Sequence, residues 1–123
     1  MLNRLRVHRV SLQHAYDGFV HTIKTQPNFR FHLLATISVI LLGYYYHISA
    51  LEWLVIVFTI NMVLIAEMVN TSIESVVDLI TLERRLDAKI AKDVSAGMVL
   101  VSAVLATIIA LIVFLPKILI SLS

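Results

Sequence analysis

Glu67-Met68-Val69-Asn70-Thr71-Ser72-Ile73-Glu74-Ser75-Val76-Val77-Asp78 is the stretch on which the reading of this chain turns. It continues an apolar run that begins near Leu51 and would otherwise read as an ordinary membrane span. Glu67, Asn70, Thr71, Glu74 and Asp78 stand at i, i+3, i+4, i+7 and i+11. On a helix turning about 100° per residue they share a stripe about 100° wide. Met68, Val69, Ile73, Val76 and Val77 occupy the opposite face, and all are apolar. A carboxylate at the centre of a bilayer costs about 2.5–3.5 kcal/mol on insertion scales, so it turns toward protein or water and marks a functional position. Glu67 and Glu74 are separated by about 10 Å along the axis at ~1.5 Å per residue, enough to serve different atoms of one extended substrate. Taken alone, the stripe also fits a seam by which helices assemble.

The whole chain supports that setting. Its 123 residues suffice for one domain, 1–123. Hydrophobic residues make up 59% and the mean hydropathy is +0.91, too apolar for a water-soluble domain of this size. The absence of cysteine excludes a disulfide framework and thiolate chemistry. The net charge of +2 lies beside apolar spans and forms no basic face, which argues against nucleic acid as a partner.

The first thirty residues carry Arg4, Arg6, Arg9, Lys24 and Arg30 against one acid, Asp17. Leu12, Ala15, Tyr16, Phe19, Val20 and Ile23 repeat with helical period, which predicts an amphipathic helix lying in the membrane surface over 1–30. No apolar core follows the N-terminus closely, so a cleavable signal peptide is not expected. Pro27 should break this helix and turn the chain into the bilayer. Three spans are then expected, at 31–47, 51–80 and 94–116. Tyr44, Tyr45 and Tyr46 supply an aromatic belt to the first, and Pro116 with Lys117 closes the third. A charged loop is expected at 81–93. Nine of the ten Lys and Arg residues fall in the N-terminal segment or this loop, which places both in the cytoplasm. The fold class is therefore an all-α, multi-pass membrane protein.

The 67–78 stretch also resembles a known pattern: Glu, any residue, an aliphatic, Asn, Ser/Thr, Ser/Ala, an aliphatic, Glu, two free positions, then Val-Asp. Every specified position is met. The pattern is that of the small prokaryotic membrane lipid kinases, the diacylglycerol kinase and undecaprenol kinase family. Ala88-Lys89-Ile90-Ala91-Lys92-Asp93-Val94-Ser95-Ala96-Gly97 is similar to that family's Ala-Lys-Asp segment followed by small residues, and closer to its undecaprenol branch. The resemblance implies Mg²⁺- and ATP-dependent phosphorylation of a lipid alcohol, undecaprenol or diacylglycerol, in the bacterial inner membrane. It also implies a homotrimer whose subunits share active sites.

Transfer of a phosphoryl group requires a metal to bridge phosphate oxygens, cations to absorb charge, and a group to orient or deprotonate the acceptor. The three glycines, Gly18, Gly43 and Gly97, form no phosphate-binding loop of a soluble kinase. The roles implied by the resemblance fall instead on the stripe and the loop. Glu67 resembles the general base that meets the lipid hydroxyl, with a buried interhelical contact as the plainer alternative. Asn70 would position Glu67 or a phosphate oxygen, or else hold two helices together. Glu74 resembles the magnesium ligand, with an ion pair to a loop cation as its alternative. Glu83 would stand near the nucleotide, and Asp78 either near the nucleotide or capping the loop. Lys92 would meet the ATP phosphates, with Asp93 orienting that lysine or the nucleotide. Arg84 and Arg85 carry over weakly. Phe29, Arg30 and Ala96 would border the lipid, although helix packing suits Ala96 and Gly97 equally well.

One departure stands out. Where the family has a second metal-binding glutamate, this chain has Gln26 followed by Pro27. An amide oxygen can coordinate magnesium but adds no charge. Two other classes of function remain compatible with the residues: an ion or proton pathway along the intramembrane acids, and a non-catalytic membrane assembly protein of the same fold.

Overall fold

The structure, a computed structural model, describes the backbone of residues 2–123 and the side chains of residues 11–123. The side chains of Arg4, Arg6 and Arg9 thus lie outside the described residues. The described chain is all-helical: α1 Leu2–Thr25, α2 Pro27–Tyr45, α3 Ala50–Ile80 and α4 Leu86–Leu122. Two of these, α3 and α4, are long and apolar enough to cross a membrane.

Each junction has a local cause. Gln26 is extended (φ −107°, ψ 105°), as a residue before proline must be, and Pro27 opens α2 where its missing N–H has no intrahelical role. The first helix accordingly ends at Thr25, short of residue 30. At the other end of α2, the N–H of Ile48 donates to the Gly43 carbonyl at 3.1 Å and that of His47 to Tyr44 at 3.3 Å. This is the Schellman pattern, and it requires a left-handed residue at His47, whose φ is +48°. The helix therefore stops at Tyr45, and His47 belongs to the turn.

Ser49 then caps α3. Its N–H donates to Glu52 Oε2 at 2.7 Å, and the Glu52 N–H donates to Ser49 Oγ at 3.3 Å, a reciprocal capping box. Lys117 Nζ reaches Glu52 Oε1 at 3.0 Å and joins the start of α3 to the far part of α4. That contact is possible because α4 runs on through Pro116 instead of closing there.

The charged stretch also differs from expectation. Only 81–85 is loop; from Leu86 the chain is helical. Asp87, Lys89, Lys92 and Asp93 thus extend α4 beyond its apolar part, and Lys89 pairs with Asp93 one turn on.

The packed core is small and sits at the end of the bundle away from this loop. Ile48, Ile56, Val113 and Phe114 form it, with Tyr46 and Trp53 against them. Most other apolar side chains on the long helices stay exposed, among them Leu34, Phe58, Leu100 and Ile112. Faces of this extent need hydrocarbon or protein against them.

Gly43 of α2 lies directly against Trp53 of α3. A Cβ there would lie 2.6 Å from Trp53 Cη2 and 3.1 Å from Ile48 Cδ1, so the indole packs directly on the glycine backbone. Replacing Gly43 by Ala forces the ring aside, and overpacking of this kind costs about 1–3 kcal/mol. The expected outcome is a lower melting temperature in detergent together with a shifted Trp53 fluorescence maximum, both measured against wild type.

Candidate active site

The polar stripe of α3 faces inward. Glu67 is 2% exposed, and Asn70 and Thr71 are also buried. With α3 pinned near its N-terminal end by the Trp53 and Ile56 packing, its rotation puts these residues against α2 and α4. Val69 and Val76 on the opposite face are exposed.

Four links lead from the depth of the bundle to its charged end. First, His32 on α2 places Nε2 3.4 Å from Glu67 Oε1. That oxygen is buried and accepts no hydrogen bond. Second, Asn70 donates from Nδ2 to Glu74 Oε1 at 3.3 Å. Third, Ser95 on α4, fully buried, donates to Asn70 Oδ1 at 2.7 Å and lies 2.8 Å from the Lys92 carbonyl. Fourth, Lys92 Nζ donates to Asp78 Oδ1 at 2.6 Å across the mouth between α3 and α4.

Beyond the mouth lies an open cleft of about 700 Å³ built from the end of α3, the 81–85 turn and the start of α4. Arg84, Arg85, Lys89 and Lys92 line it together with Asp78, Glu83 and Asp93. Four cations facing three carboxylates leave a slight positive balance, suited to a polyanion that can displace local pairs. The pairs present are exposed and cheap to open: Arg85 with Glu83 at 3.3 Å, Lys89 with Asp93, and Lys92 with Asp78.

The residues expected from sequence divide accordingly. Asp78, Glu83, Lys92 and Asp93 share the cleft wall. Glu74 is half-buried, one turn before Asp78 on α3, and is not part of the cleft lining. Asn70 bonds Glu74 and Ser95, where a contact with Glu67 was one of the expectations. Asp93 pairs with Lys89, and it is Asp78 that holds Lys92. Glu74 accepts from the Asn70 amide in place of a loop cation.

At the other end, Phe29 is fully buried and meets Phe19 of α1 edge-on, with ring centroids 5.7 Å apart. Arg30 is exposed, and Gln26 is the half-buried N-cap of α2 without a side-chain capping bond. Ala96 is exposed, and a Cβ on Gly97 would meet nothing within 4 Å. Neither small residue brings helices together within one chain. His32 and Ser95 were missed as site residues. Ser95 could have been found, since it stands one turn after Lys92 on the same face; His32 carried no comparable signal.

Among the described residues no cluster of three or more His, Asp or Glu forms a metal cage. Magnesium does not require one, since one or two carboxylates plus phosphates and water suffice. The half-buried Glu74, one turn before the cleft residue Asp78 on α3, fits that donor set.

Comparison with known proteins bears on what this arrangement belongs to. Residues 13–114 match the model of the prokaryotic diacylglycerol kinase family. The chain belongs to that family. Among its relatives is the undecaprenol kinase of Bacillus subtilis (strain 168), 41% identical over 117 residues, covering 89% of this chain and 95% of the relative. Another is the diacylglycerol kinase of Synechocystis sp. (strain ATCC 27184 / PCC 6803 / Kazusa), 39% identical over 111 residues, covering 89% of this chain and 63% of that protein. As a member of this kinase family the chain is a lipid kinase.

The Asn70–Ser95 bond is the buried polar tie between α3 and α4. Ser95→Ala leaves Asn70 Oδ1 buried and unpaired, at a cost of about 1–3 kcal/mol. A lowered melting temperature in detergent is expected, with Ser95→Thr retaining more stability than Ser95→Ala.

Proposed function

We propose that this kinase transfers the γ-phosphoryl group of ATP to the hydroxyl of a membrane lipid alcohol, with undecaprenol preferred over diacylglycerol. The observation that carries the reading is the polar line itself. It begins at a carboxylate buried deep in an apolar bundle and ends in an open cleft lined with cations. A phosphoryl donor from the aqueous side and an acceptor from the hydrocarbon side can meet along it. Similarity over nearly the full length of the Bacillus subtilis undecaprenol kinase supports the choice of acceptor.

In this reading α2, α3 and α4 are the three membrane spans of a single domain, and α1 lies along the surface. The N-terminal segment and the 81–93 stretch lie on the cytoplasmic side of a bacterial inner membrane, where ATP is available. The exposed apolar faces of α3 and α4, including a groove beside Met62, Ala66, Val69 and Gly97, support assembly as a homotrimer with shared sites.

Glu67 takes the proton of the lipid hydroxyl, and its shielded carboxylate is held ready for an acceptor that arrives within the bilayer. Lys92 binds phosphate oxygens after exchanging Asp78 for them, and the neighbouring arginines add charge. Glu83 and Asp93 hold the other cations of the cleft, and Asp78, once released by Lys92, borders the nucleotide with them. Asn70 fixes the direction of Glu74, the carboxylate for Mg²⁺. Bound with ATP, the metal would neutralise charge on the phosphates. Gln26 would offer it only a neutral oxygen. Phe29, Arg30 and Ala96 border the lipid.

The test is ADP release by purified protein in detergent with Mg-ATP, offered undecaprenol and diacylglycerol in parallel. Activity is expected with both and greater with undecaprenol. Glu67→Gln should reduce kcat by about 10²–10⁴-fold, the range of general-base catalysis. ADP release that is indifferent to added lipid alcohol, or an unaffected Glu67→Gln variant, would overturn the proposal.

A second measurement addresses the metal. Gln26→Glu should lower the Mg²⁺ concentration that gives half-maximal rate. An unchanged magnesium profile would remove residue 26 from the metal site.

A further inference from the structure

The roles assigned so far leave one contact of the buried base unused. A carboxylate that takes a proton in a water-poor site must pass it on before the next turnover. Glu67 has few ways to do so. The Thr71 hydroxyl is engaged by the backbone carbonyl of Glu67 at 3.0 Å. Asn70 carries no exchangeable charge and is tied to Glu74 and Ser95. Glu74 lies two turns further along the same helix. From α2, in contrast, His32 brings Nε2 to 3.4 Å from Glu67 Oε1, the oxygen that accepts no hydrogen bond.

His32 differs from Glu67 in one respect that matters here. It keeps 16% of its side-chain surface open while Glu67 keeps 2%. It also borders a partly open, mainly apolar cavity of about 80 Å³ among α2, α3 and α4, with Thr36 and Thr59 as the other polar side chains. The imidazole therefore touches the buried carboxylate on one side and less confined space on the other.

We propose that His32 is a positioning residue for Glu67 that also relays the proton taken from the lipid alcohol. This deepens the reading of Glu67 as base and rests on it. As the lipid oxygen bonds to the γ-phosphorus, the bond from that phosphorus to the β–γ bridging oxygen breaks, and its electron pair leaves with ADP. The alcohol O–H bond breaks, and its proton moves to the Glu67 carboxylate. From there it passes to Nε2 of the imidazole, and the resulting imidazolium gives up a proton to water as product leaves, which restores the neutral ring. Lipid alcohol and ATP give lipid monophosphate, ADP and one proton, so atoms and charge balance. The 3.4 Å contact needs to shorten only to the ~2.6–3.2 Å reach of proton transfer when substrate is bound.

The test uses the full-length protein in detergent and compares His32→Ala, His32→Gln and Glu67→Gln in the lipid-dependent ADP assay, with and without added imidazole. His32→Ala should lower kcat by at least about tenfold, a modest share of a general-base effect, with KM for ATP and lipid within about twofold. Truncation joins the vacated space to the existing cavity, so imidazole should restore part of the lost rate in a saturable manner. It should restore nothing to Glu67→Gln. A structural role for the ring would show no such rescue.

Wild-type kcat in His32→Ala, or a loss that imidazole does not recover in a variant of unchanged helical content, overturns the proposal. Should His32→Ala lose helical content, His32→Gln decides: its amide can orient the carboxylate but cannot carry the proton, so wild-type kcat there also overturns the relay. The two readings separate cleanly. An active Glu67→Gln removes the base itself, whereas an inactive Glu67→Gln beside fully active His32 variants removes only the relay.

Discussion

Desolvation of the acids on α3 is the constraint from which the arrangement of this chain follows. A helix that carries Glu67 and Glu74 inside an apolar run has few acceptable rotations. The adopted one turns the acids toward α2 and α4 and leaves Val69 and Val76 outside. Little else within a single chain could fix that rotation, because the hydrophobic cluster of Ile48, Ile56, Val113 and Phe114 lies at one end only. The polar line secures the other end. Ser95 and Asn70 tie α4 to α3 in the interior, and Lys92 with Asp78 ties them again at the mouth. Buried hydrogen bonds thus do at one end what apolar packing does at the other.

What the sequence disclosed, and what it concealed, follows the same division. The inward face of α3 was legible because helical period alone brings 67, 70, 71, 74 and 78 together. The break at Gln26–Pro27 was legible from the chemistry of proline. The density of charge in 81–93 suggests a loop, whereas the chain is helical from Leu86. Asp87, Lys89, Lys92 and Asp93 are compatible with a helix, and an i, i+4 pair supports one. Pro116 was given too much weight as a terminator: α4 continues past it, and Lys117 reaches Glu52 from the far side. The Ser49–Glu52 capping box is written in the sequence as Ser-Ala-Leu-Glu ahead of an apolar run.

Pairings between helices were the least accessible, and particular residues show why. Lys92 and Asp93 are neighbours in sequence, so it was natural to join them. On a helix, adjacent side chains diverge by about 100° and do not face each other. Lys92 points across to Asp78 on α3, and Asp93 falls beneath Lys89 on its own helix. His32 poses the same difficulty in sharper form. Its contact with Glu67 depends on how far α2 slides along α3, which is set by the His47 turn and by the close packing of Trp53 on Gly43. Such a register is a product of tertiary packing, and no local pattern encodes it.

The two ends of the site differ in stiffness in a way that suits their chemistry. In the depth, Ser95 and Asn70 hold each other through a buried hydrogen bond, where losing a partner is expensive. At the mouth, the ion pairs of Lys92, Lys89 and Arg85 are exposed and worth about 1 kcal/mol or less each. Exchanging an aspartate for a phosphate oxygen there changes one partner of a cation without exposing a buried charge. For the proposed transfer this places the adaptable contacts where a mobile, highly charged nucleotide must enter and leave. The fixed contacts stand where an acceptor hydroxyl must be aligned within a fraction of an ångström. An inversion of that order, with rigid pairs at the mouth and loose ones in the depth, would impede nucleotide exchange and leave the base without a defined direction.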